Sequence, residues 1–215
     1  MKLLYQTHSP FARKVLVFAY EKGIADRIQV VHHETSPTAA NADVFAQNPL
    51  GKVPVLLRDG ATALFDSDVI CAFLDTLGGE SLYPRTGEDR WGALRMQALA
   101  QDLAQSGIAL RWETVRRPEA LRYPPLAQGY ALKLTNSYDW LEANADFDAP
   151  VHIGHIALAT ALDWLAFRDL PSFRDGRARL TGWFDSFLTR PSMKATPLSG
   201  DTQDGAGHPS AGAAM

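Results

Sequence analysis

The feature that most constrains this chain is a change of period near Leu82-Tyr83-Pro84. Strand and helix patterns alternate before it, and only helical spacing follows. Residues 2–5 read as a short apolar strand. Phe11, Val15, Phe18 and Ala19 then fall at helical intervals within residues 10–22, and Lys22-Gly23 supplies a stop. Residues 28–32 are a second β-branched run, which makes a βαβ unit with parallel strands and a right-handed crossover. After a loop rich in Ala, Asn and Pro, apolar runs at 55–57 and 63–65 flank Asp59-Gly60, a hairpin signal. A helix over 67–77 follows, with Ile70, Phe73, Leu74 and Leu77 on one face, and Gly78-Gly79 ends it. The order βαβ then ββα predicts an α/β N-terminal domain over residues 1–80, built on a four-stranded mixed sheet.

From Asp89 onward no strand pattern recurs. Trp91, Leu94, Ala98, Leu99, Leu103 and Leu110 mark one long helix that ends before Pro118. Leu126, Tyr130, Leu134 and Leu141 mark a second, starting after Pro124-Pro125. The third, from Ile153 to Leu165, carries so many small and apolar residues that it should be buried nearly all round. Leu180, Trp183, Phe184, Phe187 and Leu188 give a fourth, stopped by Pro191. An all-α helical-bundle C-terminal domain is therefore expected over 86–198. Residues 199–215 are rich in Gly, Ala and Ser without a core pattern, and read as a disordered tail.

Composition removes several functions. A net charge of −3 supplies no basic face for nucleic acid. No apolar run approaches the roughly 20 residues that cross a bilayer, so no membrane association is expected. The first residues lack the apolar core of an export signal, and the expected location is cytoplasmic. The single cysteine, Cys71, excludes an intramolecular disulfide and any CxxC redox or zinc motif, and its helical spacing suits a buried apolar residue. His152 and His155 lie three apart with no third ligand nearby, so no metal is expected.

Three residue pairs can carry chemistry. Ser9-Pro10 opens the first helix, where Ser is a favoured cap and Pro a favoured first residue. Arg13 and Lys14 sit in that first turn, where the helix dipole disfavours cations by roughly 0.3–1 kcal/mol each. A bound anion would offset that cost. Val53-Pro54 precedes the third strand. A cis bond there would turn the Val53 backbone groups away from the sheet, where an extended peptide could pair with them; a trans edge proline is the plain alternative. Asp66-Ser67 opens the third helix, either as a simple cap or as donors to a ligand carboxylate, with Asp66 taking an ammonium group.

The runs SPFARKVLVFAYEKGI, NPLGKVPVL and FDSDVICAFLD, followed by GHIALATALDWLAFRD and FLTRPSM, resemble the cytosolic glutathione transferases in order and spacing across nearly the whole chain. The resemblance implies a thioredoxin-like N-terminal domain joined to the helical one, assembled as a homodimer. It implies that Ser9 activates the thiol of glutathione, that Val53 and Pro54 grip its cysteinyl part, and that Asp66 and Ser67 hold its γ-glutamyl end. Lys52 is implied as a partner for a ligand carboxylate and Phe11 as a wall of the site. The electrophile pocket is expected between the domains, near Phe11 and residues 108–115.

The implied activity is conjugation of the glutathione thiolate to a small hydrophobic electrophile, or reduction of a peroxide, in a detoxification role. Glutathione is the co-substrate, and no metal is needed. A free thiol titrates near pKa 8.5. A Ser9 hydroxyl donating to sulfur at a helix start would favour the thiolate. Ser9 stands where disulfide-reducing members carry Cys, so little activity of that kind is expected. His155 stands where many members carry an Asp at the start of the buried helix. A non-catalytic member that binds glutathione or a regulatory protein partner is the alternative. A hydrolase pairing His8 with Ser9 lacks any G-x-S-x-G elbow.

Overall fold

The computed structural model describes residues 1–202. Strand β1 is Lys2–Tyr5, α1 is Pro10–Glu21 and β2 is Gln29–His32. A short α2, Ala42–Gln47, precedes the hairpin of β3, Val55–Arg58, and β4, Ala61–Leu64. Helix α3 is Ser67–Asp75. The helical region comprises α4 (Gly87–Arg111), α5 (Pro124–Asn144), α6 (Ile153–Phe167), α7 (Ala178–Leu188) and α8 (Pro191–Lys194). The expected architecture is present: a mixed-sheet N-terminal region and a helical C-terminal one.

The sheet order is β2-β1-β3-β4. β1 runs parallel to β2 and antiparallel to β3, and β3 is antiparallel to β4. Asp59-Gly60 closes the hairpin between Arg58 and Ala61, and Gly60 has the positive φ that such a turn demands. Side chains alternate across the pleat. Leu3, Tyr5 and Leu56 join the core formed with α1 and α3, while Leu4 and Val55 meet Val44 of α2 on the opposite face.

Helix α2 lies inside what the sequence presents as a loop. It is short, it buries only Val44, and Asn41 caps it by accepting from the Asp43 and Val44 amides. A single buried residue leaves no period to read. Two other expectations change as well. Pro191 does stop α7, yet it also serves as the first residue of α8, the helical position that tolerates a missing N–H. Pro124 and Pro125 likewise sit inside the first turn of α5 rather than before it.

Helix α6 is the axis of the helical region, buried at every position from Ile153 to Leu162 and again at Trp164 and Leu165. It also meets the sheet region through α1. Arg13 and Lys14, the cations in the first turn of α1, are buried and answered by the protein itself. Arg13 pairs with Asp163 of α6 and also donates to the Thr196 hydroxyl and the Met193 carbonyl. Lys14 pairs with Asp68 of α3 and donates to the Gln101 side chain of α4 at 3.0 Å. Their cost at the helix start is therefore offset by fixed carboxylates, Asp163 across in the helical region and Asp68 within the sheet region, and needs no bound anion.

The start of α6 departs from a carboxylate cap. His152 is the N-cap, its Nδ1 accepting from the Gly154 and His155 amides at 3.1 and 3.4 Å. His155 stacks on it with ring centroids 3.9 Å apart and contacts the Asp146 carbonyl through Nε2. The expected tail begins within the described residues: the Ser199 amide donates to the Thr7 carbonyl, and the Thr7 hydroxyl donates to the Ser199 carbonyl. Residues 203–215, the rest of that stretch, lie outside the described residues. Among the described residues no helix is long and apolar enough to cross a membrane.

Candidate functional site

The strand register brings the three sequence-selected pairs to one end of the sheet. Leu4 of β1 is opposite Val55, so the chain leaving β1 toward Ser9 passes beside Val53-Pro54 as it enters β3. Leu56 is opposite Leu64, which places Asp66 next along the same edge of the molecule. Residues more than fifty positions apart thus share one sheet end.

Ser9 caps α1 by accepting from the Ala12 amide at 3.2 Å, and it is nearly buried. A serine hydroxyl has one proton and two lone pairs. The cap uses a lone pair, and the proton makes no bond among the described residues. The first-turn amides of α1 lie behind that oxygen. Thr7, the neighbouring hydroxyl, has its proton committed to the Ser199 carbonyl at 2.8 Å.

The loop before β3 is fixed by Asn48. Its side chain donates to the Lys52 carbonyl at 2.8 Å and accepts from the Leu50 amide at 3.0 Å, while Thr35 donates to the Gly51 carbonyl at 2.9 Å. Gly51 has a positive φ, and a Cβ there would lie 2.3 Å from the Phe45 ring, so a larger residue would be strained and would have to displace that ring. This frame holds Val53 and Pro54, both buried, with the bond between them cis. The Lys52 side chain is exposed beside it.

Asp66 caps α3 by accepting from the Asp68 amide at 3.1 Å. Ser67 is fully buried, and its hydroxyl has no hydrogen-bond partner among the described residues. A buried hydroxyl without a partner costs roughly 1–3 kcal/mol. A ligand acceptor reaching the start of α3 would remove that cost. Phe11 is half-buried against the helical core, in a crevice with Lys14, Ala104 and Thr160 where α1, α4 and α6 meet.

Beside Ser9 lies a cluster that the sequence did not announce. The Trp164 indole donates to the His8 carbonyl at 2.9 Å, which anchors the Ser9 turn on α6. One turn further along that helix, Arg168 Nη1 contacts the Asp201 carboxylate at 2.9 Å, and Arg111 at the end of α4 reaches the same oxygen at 3.4 Å. His8 is buried, and its Nε2 lies 3.5 Å from Glu34. Burial lowers the His8 pKa more than Glu34 raises it, so the ring is neutral at pH 7 and the contact is not an ion pair. Cys71 is buried in the N-terminal core, and burial pushes its thiol up to about 12, which makes it inert.

A cleft of about 850 Å³ lies elsewhere. It lies at the opposite end of α4, lined by Arg95, Met96, Trp140, Asp146, His152 and Arg190 among others. It contains none of the residues at the sheet end. Among the described residues no group of three His, Cys, Asp or Glu could hold a metal ion.

Residues 8–77 match the family profile described as the glutathione S-transferase N-terminal domain. The chain is similar to the GST-like protein YibF of Escherichia coli K12, 29% identical over 203 residues that cover 91% of this chain and 98% of that one. A glutathione transferase family member from Pseudomonas fluorescens Pf-5, solved with bound glutathione, superposes with a TM-score of 0.89 at 33% identity, covering 92% of this chain and 98% of that chain. A structure from the same organism holding S-(propanoic acid)-glutathione gives 0.84 at 32% identity, over 93% of this chain and 100% of that one. Fold and sequence agree: the chain belongs to the glutathione transferase family.

Proposed function

We propose that this protein is a glutathione S-transferase of the serine type, which binds glutathione at the sheet end and transfers its thiolate to a small electrophile. The observation that carries the reading is Ser9, a nearly buried helix cap whose oxygen accepts from the Ala12 amide while its proton is uncommitted. A thiol placed against it receives that proton as a hydrogen bond, and the amides behind it add positive potential. Both favour the thiolate, the nucleophilic form.

The rest of glutathione follows the chain's own groups. Its cysteinyl backbone pairs with Val53 in extended form, its γ-glutamyl carboxylate takes the Ser67 hydroxyl and the start of α3, and Asp66 receives its ammonium. Lys52 answers the glycyl carboxylate. Phe11 forms the wall between the peptide and the helical region. The thiolate then attacks an electrophilic carbon, or a peroxide oxygen, placed between Ser9 and the end of α4. The bound peptides in the two Pseudomonas structures support this reading. Assembly as a homodimer in the cytoplasm and a role in detoxification belong to the same proposal.

Retention on immobilised glutathione and turnover of a chromogenic aryl halide or a hydroperoxide are the expected results. Retention without turnover across a broad substrate panel would assign the protein to binding alone. Failure to bind glutathione would remove the ligand assignment.

A further inference from the structure

The cationic cluster beside Ser9 takes no part in holding glutathione as described above. Arg111 and Arg168 converge there from the ends of two different helices, α4 and α6. Their side chains are only 11% and 7% exposed. The Arg168 Nε and Nη2 atoms are buried and have no hydrogen-bond partner among the described residues, and both His8 ring nitrogens share that condition. Burial and the neighbouring Arg111 depress the Arg168 pKa from its ordinary value. Two buried guanidinium groups side by side are costly unless an anion joins them.

The anion present is a poor match. Asp201 offers a single oxygen to both arginines, at 2.9 and 3.4 Å, and its side chain is 69% exposed. It hangs on a short strap, held by the two hydrogen bonds between Thr7 and Ser199. Gly200, in the same strap, lies over Thr7 and His8; a Cβ built on it would be 3.6 Å from the Thr7 hydroxyl and 3.7 Å from His8 Nδ1. The strap therefore crosses the turn that leads into Ser9. A carboxylate entering the cluster could use both of its oxygens and the free Arg168 nitrogens, a bidentate geometry that suits guanidinium.

We propose that Arg111 and Arg168 form a carboxylate-binding subsite for the electrophile, occupied in the free protein by Asp201, so that the acceptors this protein favours are themselves acids. The assignment rests on the glutathione transferase reading for the identity of the nucleophile. The reacting carbon then sits toward Ser9 and the carboxylate toward α6. With para-chloromethylbenzoate as acceptor, the thiolate attacks the benzylic carbon and the C–S bond forms as the C–Cl bond breaks. Chloride leaves with the electron pair, and the carboxylate stays on Arg168 throughout.

Two measurements test this on the full chain. In the first, para-toluate and the uncharged para-toluamide are titrated while fluorescence is followed, since Trp164 lies beside His8. Toluate is expected to bind more tightly than toluamide. Asp201→Asn, an exposed change, should tighten toluate severalfold, and Arg168→Gln should weaken it by about tenfold. In the second, kcat/KM for para-chloromethylbenzoate is compared with that for its methyl ester. The acid-over-ester ratio should fall by about tenfold in Arg168→Gln. Equal binding of toluate and toluamide by both the wild type and Asp201→Asn overturns the subsite. So does a ratio unmoved by Arg168→Gln. Equilibrium dialysis with glutathione judges the parent reading separately: lost glutathione binding with Arg168-dependent toluate binding intact retires the transferase and keeps the anion site.

Discussion

At the scale of single residues, the distinction that matters is what each polar group has left to give. Ser9 has its oxygen engaged by Ala12 and its proton uncommitted, whereas Thr7 spends its proton on Ser199. Ser9→Ala should therefore leave glutathione binding nearly intact while raising the pKa of the bound thiol. Each unit is worth about 1.36 kcal/mol, or tenfold in thiolate near neutral pH. Thiolate absorbance at pH 7 and kcat/KM should fall together, by roughly tenfold or more. An unchanged thiolate signal would move the activating role to another donor. Ser9, Asp66 and Ser67 were legible in the sequence because helix caps have a local signature of residue type and position. Arg168 and His8 were not. They lie 160 positions apart, and a cation after a helix reads as an ordinary partner of the dipole. In the sequence, Arg13 and Lys14 at a helix start suggest a bound anion, but Asp163 and Asp68 answer them, a meeting that only packing reveals.

At the scale of elements, period made most of the fold readable. The sheet strands, α1 and the buried α6 each repeat a pattern long enough to declare itself, while α2 buries one residue and declares nothing. The α6 cap shows how an element can acquire a pH dependence. His152 accepts two amides only when its Nδ1 is unprotonated. Burial first, then the stacked His155, lower its pKa to about 4, against opposition from Asp146. An unfolded histidine titrates near 6.5, so between about 6.5 and 4 the unfolded chain takes up a proton that the folded one refuses. Stability from the neutral ring is thus fully present above about pH 6.5 and is lost as pH falls toward 4. His152→Ala should cost about 0.5–2 kcal/mol at pH 7, whereas His152→Asn should keep the cap without the titration. Urea midpoints measured from pH 7 to 5 should fall less steeply for His152→Asn than for the wild type. Parallel slopes would show that the ring does not report through this cap.

At the scale of the molecule, the question is what covers the exposed apolar surface. Trp91 of α4 is 60% exposed, and Arg95, one turn on along the same helix face, stacks over Trp140 of α5 at 5.3 Å. These three side chains form a continuous surface across α4 and α5, and the 850 Å³ cleft opens beside it through Arg95 and Trp140. Aromatic residues with arginine are the types that protein interfaces favour. The surface also lies away from Ser9 and from the Arg111–Arg168 end of α4, so pairing two copies across it would leave both sites open. A homodimer built here should persist at micromolar protein, with roughly 1,200 Å² or more buried in total. Light scattering should report twice the chain mass for the wild type. Trp91→Glu places a charge in the centre of the contact and should shift the protein to monomer, with circular dichroism unchanged because Trp91 packs on nothing in its own core. A wild-type monomer across the accessible concentration range, or a Trp91→Glu dimer of undiminished affinity, would place the subunit contact elsewhere or remove it.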